Sequence, residues 1–436
     1  MASHYLLKTD CTQYDSGSLE QPCSRYHVSF PSMDPAALYV VSRLQKKGHT
    51  AYLVGGSVRD LLLGLTPKDF DVATSATPEA VRAVFGRSAR IIGKRFRLVH
   101  VYVKDKTIEV ATFRSGCIEN EILIQRDNQW GSEEEDAMRR DFTINGLFFD
   151  PASSMVVDYV GGYQDLQSQV LRTIGSPERR FKQDPVRMIR LLKFHVRMGL
   201  RIESETLHAL KKCIRHIRES APARVLEELF RILESGWAAP MLEQLCRYSF
   251  LETLMPCLHA AYCTHRTEIQ ALLKGADQCQ NTPLRYALFA ALIFPSVKNK
   301  IEGTPSHPCI KTIELISTQC AYEATLPFKV PRRLKEAVGE AILMQYRLAP
   351  HIPQQGFRPP MAQKEFFQEA LSLLEIRQSA PNASDREKHA YDTFKALKAS
   401  SKAFTKKVER GCRKGKYHPH RRKRGFQKHK KKRSHL

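Results

Sequence analysis

The sequence predicts an α+β protein: a small mixed α/β head, an all-helical neck and body behind it, and a disordered basic tail. Three observations carry this reading. Strand-like runs end before residue 171, and beyond Val170 the apolar residues recur at helical spacing. The last stretch, Lys406 to Leu436, holds fifteen Lys/Arg against the single acid Glu409, too little apolar surface to fold alone. The expected divisions are an N-terminal extension over 1–32, the head over 33–170, the neck over 171–256, the body over 257–400 and the tail over 401–436.

From Pro35 to Lys47 the apolar residues Leu38, Val41 and Leu44 keep helical spacing, and Gly48 stands where a helix stops. Ala51 to Val54 reads as a short strand. Gly55-Gly56 then turns into the helical stretch Val58 to Leu63, which Gly64 and Pro67 end. Asp69 to Ala73, Arg97 to Val103 and Lys106 to Phe113 read as strands, with a helix over Thr77 to Phe85 between the first two. Farther on, Asp184 to Met198, Glu203 to Ile217, Val225 to Leu233 and Ala239 to Tyr248 are helical segments, and helices continue to about Leu397.

Across 436 residues, 69 Lys/Arg against 45 Asp/Glu leave a net charge of +24. Charge of that sign and size points to a polyanion, most commonly nucleic acid. The longest apolar run, Tyr286 to Phe294, is far short of the ~18 residues that a membrane helix needs, so no membrane partner is expected. Met1 to Ser32 mixes Lys8, Asp10 and Glu20 and does not read as a signal peptide. Eleven scattered cysteines form no CxxC, and Cys213 and His216 have no second pair to complete a zinc site. Reduced thiols and a cytoplasmic location are expected.

Lys68-Asp69-Phe70-Asp71-Val72 sets two carboxylates on one face of a strand, with Phe70 and Val72 on the other. The carboxylates repel, and a divalent cation taking hard oxygen ligands relieves the repulsion. A bare pair of this kind is more often a solvated edge. Fifteen residues upstream, however, Val54-Gly55-Gly56-Ser57-Val58-Arg59-Asp60 puts two permissive glycines at a strand-to-helix turn suited to phosphate, with Arg59 as a fork of donors. A third acid is either Glu109, between apolar residues of a strand, or Asp141, in Arg139-Arg140-Asp141-Phe142-Thr143-Ile144-Asn145-Gly146, which reads as a polar start to a helical stretch.

Taken together, Leu53 to Gly64, Lys68 to Glu79, RRDFTING and Gln183 to Phe194 (QDPVRMIRLLKF) resemble the class II nucleotidyltransferases of the polymerase-beta superfamily, which hold the tRNA CCA-adding enzymes and the bacterial poly(A) polymerases. The run Ile92 to Val101 is similar to the segment that marks the poly(A) polymerases, and Asp127 to Arg140 and the basic tail favour the same branch. The resemblance covers about Ser32 to Pro256.

It implies that the head is catalytic, with Asp69 and Asp71 holding Mg²⁺ in a two-metal site, and Asp141 or Glu109 as the further acid. Gly55, Gly56 and Arg59 would cradle the triphosphate of ATP; Arg140 and Asn145 would meet the ribose. In the neck, Asp184 and Arg187, one helical turn apart, would read the base beside Arg190. The implied reaction is template-independent attack of a single-stranded RNA 3′-hydroxyl on the α-phosphate of ATP, releasing pyrophosphate. RNA-degradation machinery is a further expected partner. The tail cations Arg421, Arg422, Lys423, Arg424, Lys430, Lys431, Lys432 and Arg433 are expected to bind RNA phosphates. Departures from the pattern are Gln183 for Glu, Lys193 for Arg and Val99 for a small residue; the first two alter charge near the base pocket. The alternatives are a CCA-adding enzyme and a non-catalytic RNA-binding protein on the same scaffold.

Overall fold

A computed structural model describes residues 23–30, 33–93, 97–115, 129–304, 308–326, 328–348, 365–385, 387–389 and 391–392. The basic tail, with all eight of its expected RNA-binding cations, lies outside them.

The head is built from β1 (Ser24–His27), α1 (Pro35–Gln45), β2 (Ala51–Val54), α2 (Gly56–Leu62), β3 (Asp71–Thr74), α3 (Pro78–Phe85), β4 (Ala89–Ile92), β5 (Leu98–Val103), β6 (Lys106–Thr112), α4 (Glu133–Met138), β7 (Leu147–Asp150), β8 (Met155–Asp158) and α5 (Gly162–Gln167). Local chemistry sets many of these ends. The Asp34 carboxylate accepts from the Ala36 N–H at 2.8 Å and Pro35 opens α1, while Thr77 and Pro78 start α3 in the same way. Ser132 and Glu135 form a reciprocal capping box on α4.

The eight strands form one sheet in the order β1-β8-β7-β2-β3-β6-β5-β4, with β3 and β6 parallel and every other adjacent pair antiparallel. Leu53, Val72, Val101, Ile108 and Val110 pack on one face with Val40, Val41 and Leu44 of α1 and Val81 of α3. On the opposite face Val54, Ala73, Phe113, Phe148 and Val157 bury Ala137 of α4. β1 belongs to this sheet, so the head begins before residue 33 and inside the expected extension.

Behind the head come β9 (Val170–Leu171), α6 (Pro177–Gln183), α7 (Val186–Met198), β10 (Arg201–Ile202), α8 (Ser204–Cys213), α9 (Pro222–Leu233), α10 (Ala238–Arg247), α11 (Phe250–Leu254), α12 (Pro256–Thr264), α13 (Arg266–Gln278), α14 (Arg285–Glu302), α15 (Ile310–Ala324), α16 (Arg332–Leu348) and α17 (Phe367–Ser379). The neck is therefore not wholly helical: β9 and β10 pair in parallel across the expected boundary at residue 170. Pro295, which ends the apolar run of the sequence, is accommodated inside α14. No described helix is long and apolar enough to cross a membrane. One buried apolar cluster runs from Val28 in the head to Ala380 after α17.

Three expectations are corrected. β3 begins at Asp71, so Asp69 precedes the strand; the alternation survives nonetheless, with Asp69 and Asp71 exposed, Phe70 packed against the core and Val72 buried. Asp141 opens no helix: a single 3₁₀ turn at Thr143–Asn145 leads straight into β7. The helix expected over Asp184 to Met198 is present as α7 but starts two residues later, at Val186, because Pro185 disfavours a helical conformation at the residue before it. Asp184 sits extended (φ −146°, ψ 87°) between α6 and α7.

Candidate active site

Strand register assembles the site. Phe148 of β7, Val54 of β2, Asp71 of β3, Glu109 of β6, His100 of β5 and Arg90 of β4 are successive cross-strand partners, one row across six strands. The apolar end lies beneath α4 and Arg140, whose guanidinium stands 5.1 Å from the centre of the Phe148 ring. The polar end is open.

Asp71 lies where the two ends meet. Although Asp71 reaches the surface, partial desolvation by the protein packed around it raises its carboxyl to about 6; the negative charges of Glu109 and Asp69 reinforce this, and Arg140 opposes it. Asp71 feels the charges of Glu109 and Asp69, but among the described residues no three His, Cys, Asp or Glu side chains are grouped as a metal site. Asp69 and Asp71 would supply hard oxygens to Mg²⁺, which keeps waters and takes substrate phosphate oxygens as its other ligands.

The two candidates for the third acid occupy different surroundings. Glu109 is exposed, directly beside Asp71, with His100 Nε2 3.4 Å from its Oε1. Asp141 is buried and already engaged: its Oδ1 accepts from the Phe142 N–H (2.9 Å) and Asn145 Nδ2 (3.0 Å), and its Oδ2 lies 2.8 Å from Arg190 on α7. Burial alone would raise the Asp141 carboxyl, but Arg190, Asn145, Arg187 and the Phe142 N–H hold it below its ordinary value.

Gly55 has φ +68°, and a Cβ there would sit 3.1 Å from Arg140 Nη1. The glycine turn therefore runs directly past a cation. Arg140 is held by Asp136 (Nη2 to Oδ2, 2.9 Å) and donates to the Asn145 carbonyl (3.2 Å). Arg59 departs from the expected phosphate fork. It is 4% exposed, donates to Asp60 Oδ1 (2.6 Å) and Asn145 Oδ1 (2.6 Å), and lies 5.0 Å from the Phe194 ring centre. Its guanidinium orients Asn145 from behind.

Arg190, Phe194 and Arg197 lie along α7 at i, i+4 and i+7, one helical face. They meet Asp141, Arg59 and Asp60 of the head respectively, the last at 3.4 Å. The neck is thereby keyed to the head at Asp141, Arg59 and Asp60.

Asp184 and Arg187, expected to read the base, stand at the α6–α7 junction rather than on one helix. Arg187 Nε is 3.9 Å from Asp184 Oδ2, which also pairs with Arg224 of α9 at 3.0 Å. Asp184 Oδ1 and Arg187 Nη1 are both buried without a hydrogen-bond partner in the protein. An acceptor and a donor on neighbouring side chains are thus both unsatisfied, a state that costs free energy unless a ligand completes it. Lys193, in place of the expected arginine, lies 3.9 Å from the buried Glu228, and burial lowers its ammonium pKa.

Sequence reasoning missed Arg180, whose guanidinium donates to the backbone carbonyls of Arg139 and Arg140. Burial, and then the neighbouring charge of Arg187, bring it down to about 9. In PERRFKQ it reads as one more solvated cation; only the packing of α6 turns it inward. His100 and Arg90 were missed because their neighbours are set by strand pairing, not by sequence distance.

Residues 51–172 match the model of the poly A polymerase head domain, and residues 199–262 that described as the probable RNA and SrmB-binding site of polymerase A. The chain is 36% identical over 392 residues to poly(A) polymerase I of Salmonella typhi, covering 85% of this chain and 83% of that protein. It is 35% identical over 201 residues to the CCA-adding enzyme of Staphylococcus epidermidis, covering 44% and 48%. The crystal structure of the Bacillus stearothermophilus CCA-adding enzyme in complex with CTP is similar at a TM-score of 0.59 and 25% identity, over 84% of this chain and 83% of that one.

Proposed function

The chain belongs to the poly(A) polymerase family of nucleotidyltransferases, and from that premise we propose that it extends single-stranded RNA 3′ ends with AMP from ATP, releasing pyrophosphate, at a two-metal site. The observation that carries the choice of ATP is the unpartnered pair at the α6–α7 junction. Asp184 Oδ1 accepts from an exocyclic amine and Arg187 Nη1 donates to the adjoining ring nitrogen. Adenine and cytosine offer that pattern, whereas guanine and uracil present a carbonyl to the carboxylate and leave both groups unpaired. Between adenine and cytosine, the likeness to poly(A) polymerase I over most of both chains favours adenine; the likeness to the Staphylococcus epidermidis CCA-adding enzyme stops near half.

Each remaining element has one task. The Gly55–Gly56 turn lets the triphosphate approach backbone N–H groups, and Arg140 beside it offsets phosphate charge. Arg59 and Asp141 hold Asn145 against the ribose. Asp69 and Asp71, with Glu109 as third acid, would hold Mg²⁺. When bound, the cations supply Lewis-acid chemistry, easing loss of the 3′-hydroxyl proton and neutralising departing pyrophosphate. Positioning then carries the rate, with no covalent intermediate.

The test is to incubate the full chain, Mg²⁺ and an unstructured RNA with each labelled nucleotide separately. Long A-only tails are expected, with weak use of CTP and almost none of GTP or UTP. Equal use of all four would sink the base-reading assignment.

A further inference from the structure

We propose that the open end of the cross-sheet row, Arg90 and His100 with the adjoining Tyr102, seats the RNA strand whose 3′ end is extended. This rests on the reading above and adds the place of the acceptor. The sheet order supplies the first argument. β2, with the glycine turn and Arg140, flanks Asp71 on one side; β6, β5 and β4 flank it on the other. In phosphoryl transfer the attacking and leaving oxygens lie roughly in line. Pyrophosphate held at the glycine turn departs toward β2, so the attacking hydroxyl arrives over β6.

Side-chain chemistry on that half agrees. Val99 and Val101 are buried toward α1 and α3, which turns His100 and Tyr102 to the same side as Asp71. Arg90 is exposed and makes no ion pair among the described residues. His100 Nε2 is itself buried, without a hydrogen bond and with Glu109 Oε1 at 3.4 Å, so its ring serves as a support. Tyr102 is 43% exposed, its ring edge-on to His100 at 6.4 Å. A guanidinium for a phosphodiester and an aromatic face for a base are the parts of a single-strand platform. From Arg90 to Asp71 the row crosses three strand gaps, about 14 Å. His100 also lies in the run Ile92 to Val101, which no step on the nucleotide side uses. Glu109, the one acid of the row beside His100, would repel phosphate until a cation is bound, which orders metal before acceptor.

The test uses the full chain carrying Arg90→Ala or Tyr102→Ala. Loss of the stacking face in Tyr102→Ala should raise KM for RNA about tenfold, and Tyr102→Phe should restore it. Arg90→Ala should lower the slope of log RNA affinity against log salt by about 0.7, one single-strand phosphate contact. KM for ATP should hold in all three variants. Both side chains lie at the surface, and thermal melting checks that each variant folds. If KM for ATP changes while RNA affinity holds, the triphosphate occupies this face and the proposal is overturned. Unchanged RNA KM and salt slope also overturn it. A wild-type protein that binds RNA with an Arg90-dependent slope yet adds no nucleotide would refute the enzymatic reading and keep the binding face.

Discussion

Asp71 is where stability and chemistry oppose each other. Its carboxyl is raised to about 6 by withdrawal from water and by Glu109, against an ordinary value of 3.8 in the unfolded chain. The folded state therefore binds its proton more tightly than the unfolded state does. Stability of the metal-free protein should rise as pH falls through 6 toward 4, and the ionised carboxylate should cost stability above 6. Asp71→Asn removes that cost: in EDTA at pH 8 its Tm should exceed that of the wild type, with the gap closing by about pH 4. The same variant should lose nucleotide transfer, as should Asp69→Ala. Equal melting at both pH values would show that Asp71 is not strained by its neighbours, and substantial residual synthesis would remove it from the metal site. Arg59 and Asp141, by contrast, are turned inward, and each is hydrogen-bonded to Asn145.

At the level of elements, the start of α7 at Val186, after Pro185, leaves Asp184 between two helices. A helix running through Asp184 would have set it and Arg187 on one face as a surface ion pair; instead its carboxylate lies against Arg224 of α9, with one buried oxygen lacking a hydrogen-bond partner. Arg187→Ala or Asp184→Ala should lower the preference for ATP over GTP about a hundredfold, with a smaller effect on the rate with ATP. A uniformly lower rate at constant preference would make the pair structural. The helices and the strands β2, β3, β5 and β6 were legible because periodicity and capping residues are local, as Asp34-Pro35 and Thr77-Pro78 show. The glycine turn and the acid pair were legible too, since their spacing carries the chemistry. The row from Asp71 to Arg90 was not, because register is a long-range property, and β1, β4, β7 and β8 carry weak alternation in short runs of four. The inward turn of Arg59 and the role of Arg180 depend on how α7 and α6 dock, which no window of sequence contains.

Across the whole molecule, a chain of net charge +24 carries a local group of acids, Asp69, Asp71 and Glu109. On the reading proposed above, the overall charge draws RNA generally and the residues at the head–neck junction select nucleotide and 3′ end. Fifteen cations from Lys406 onward should serve affinity rather than chemistry. Truncation after Ser400 should weaken RNA binding, flatten its salt dependence and shorten products per encounter, while turnover at saturating RNA persists. Parallel salt slopes for truncated and full-length protein would show that the tail does not touch RNA. The central claim is that this site adds AMP, repeatedly and without a template. It is tested most directly by supplying all four nucleotides together with an unstructured RNA and a tRNA lacking its 3′ end, then determining the mass and composition of what is added. Homopolymeric A of many lengths on both RNAs is the result expected; addition confined to the tRNA and halting at C-C-A would contradict it.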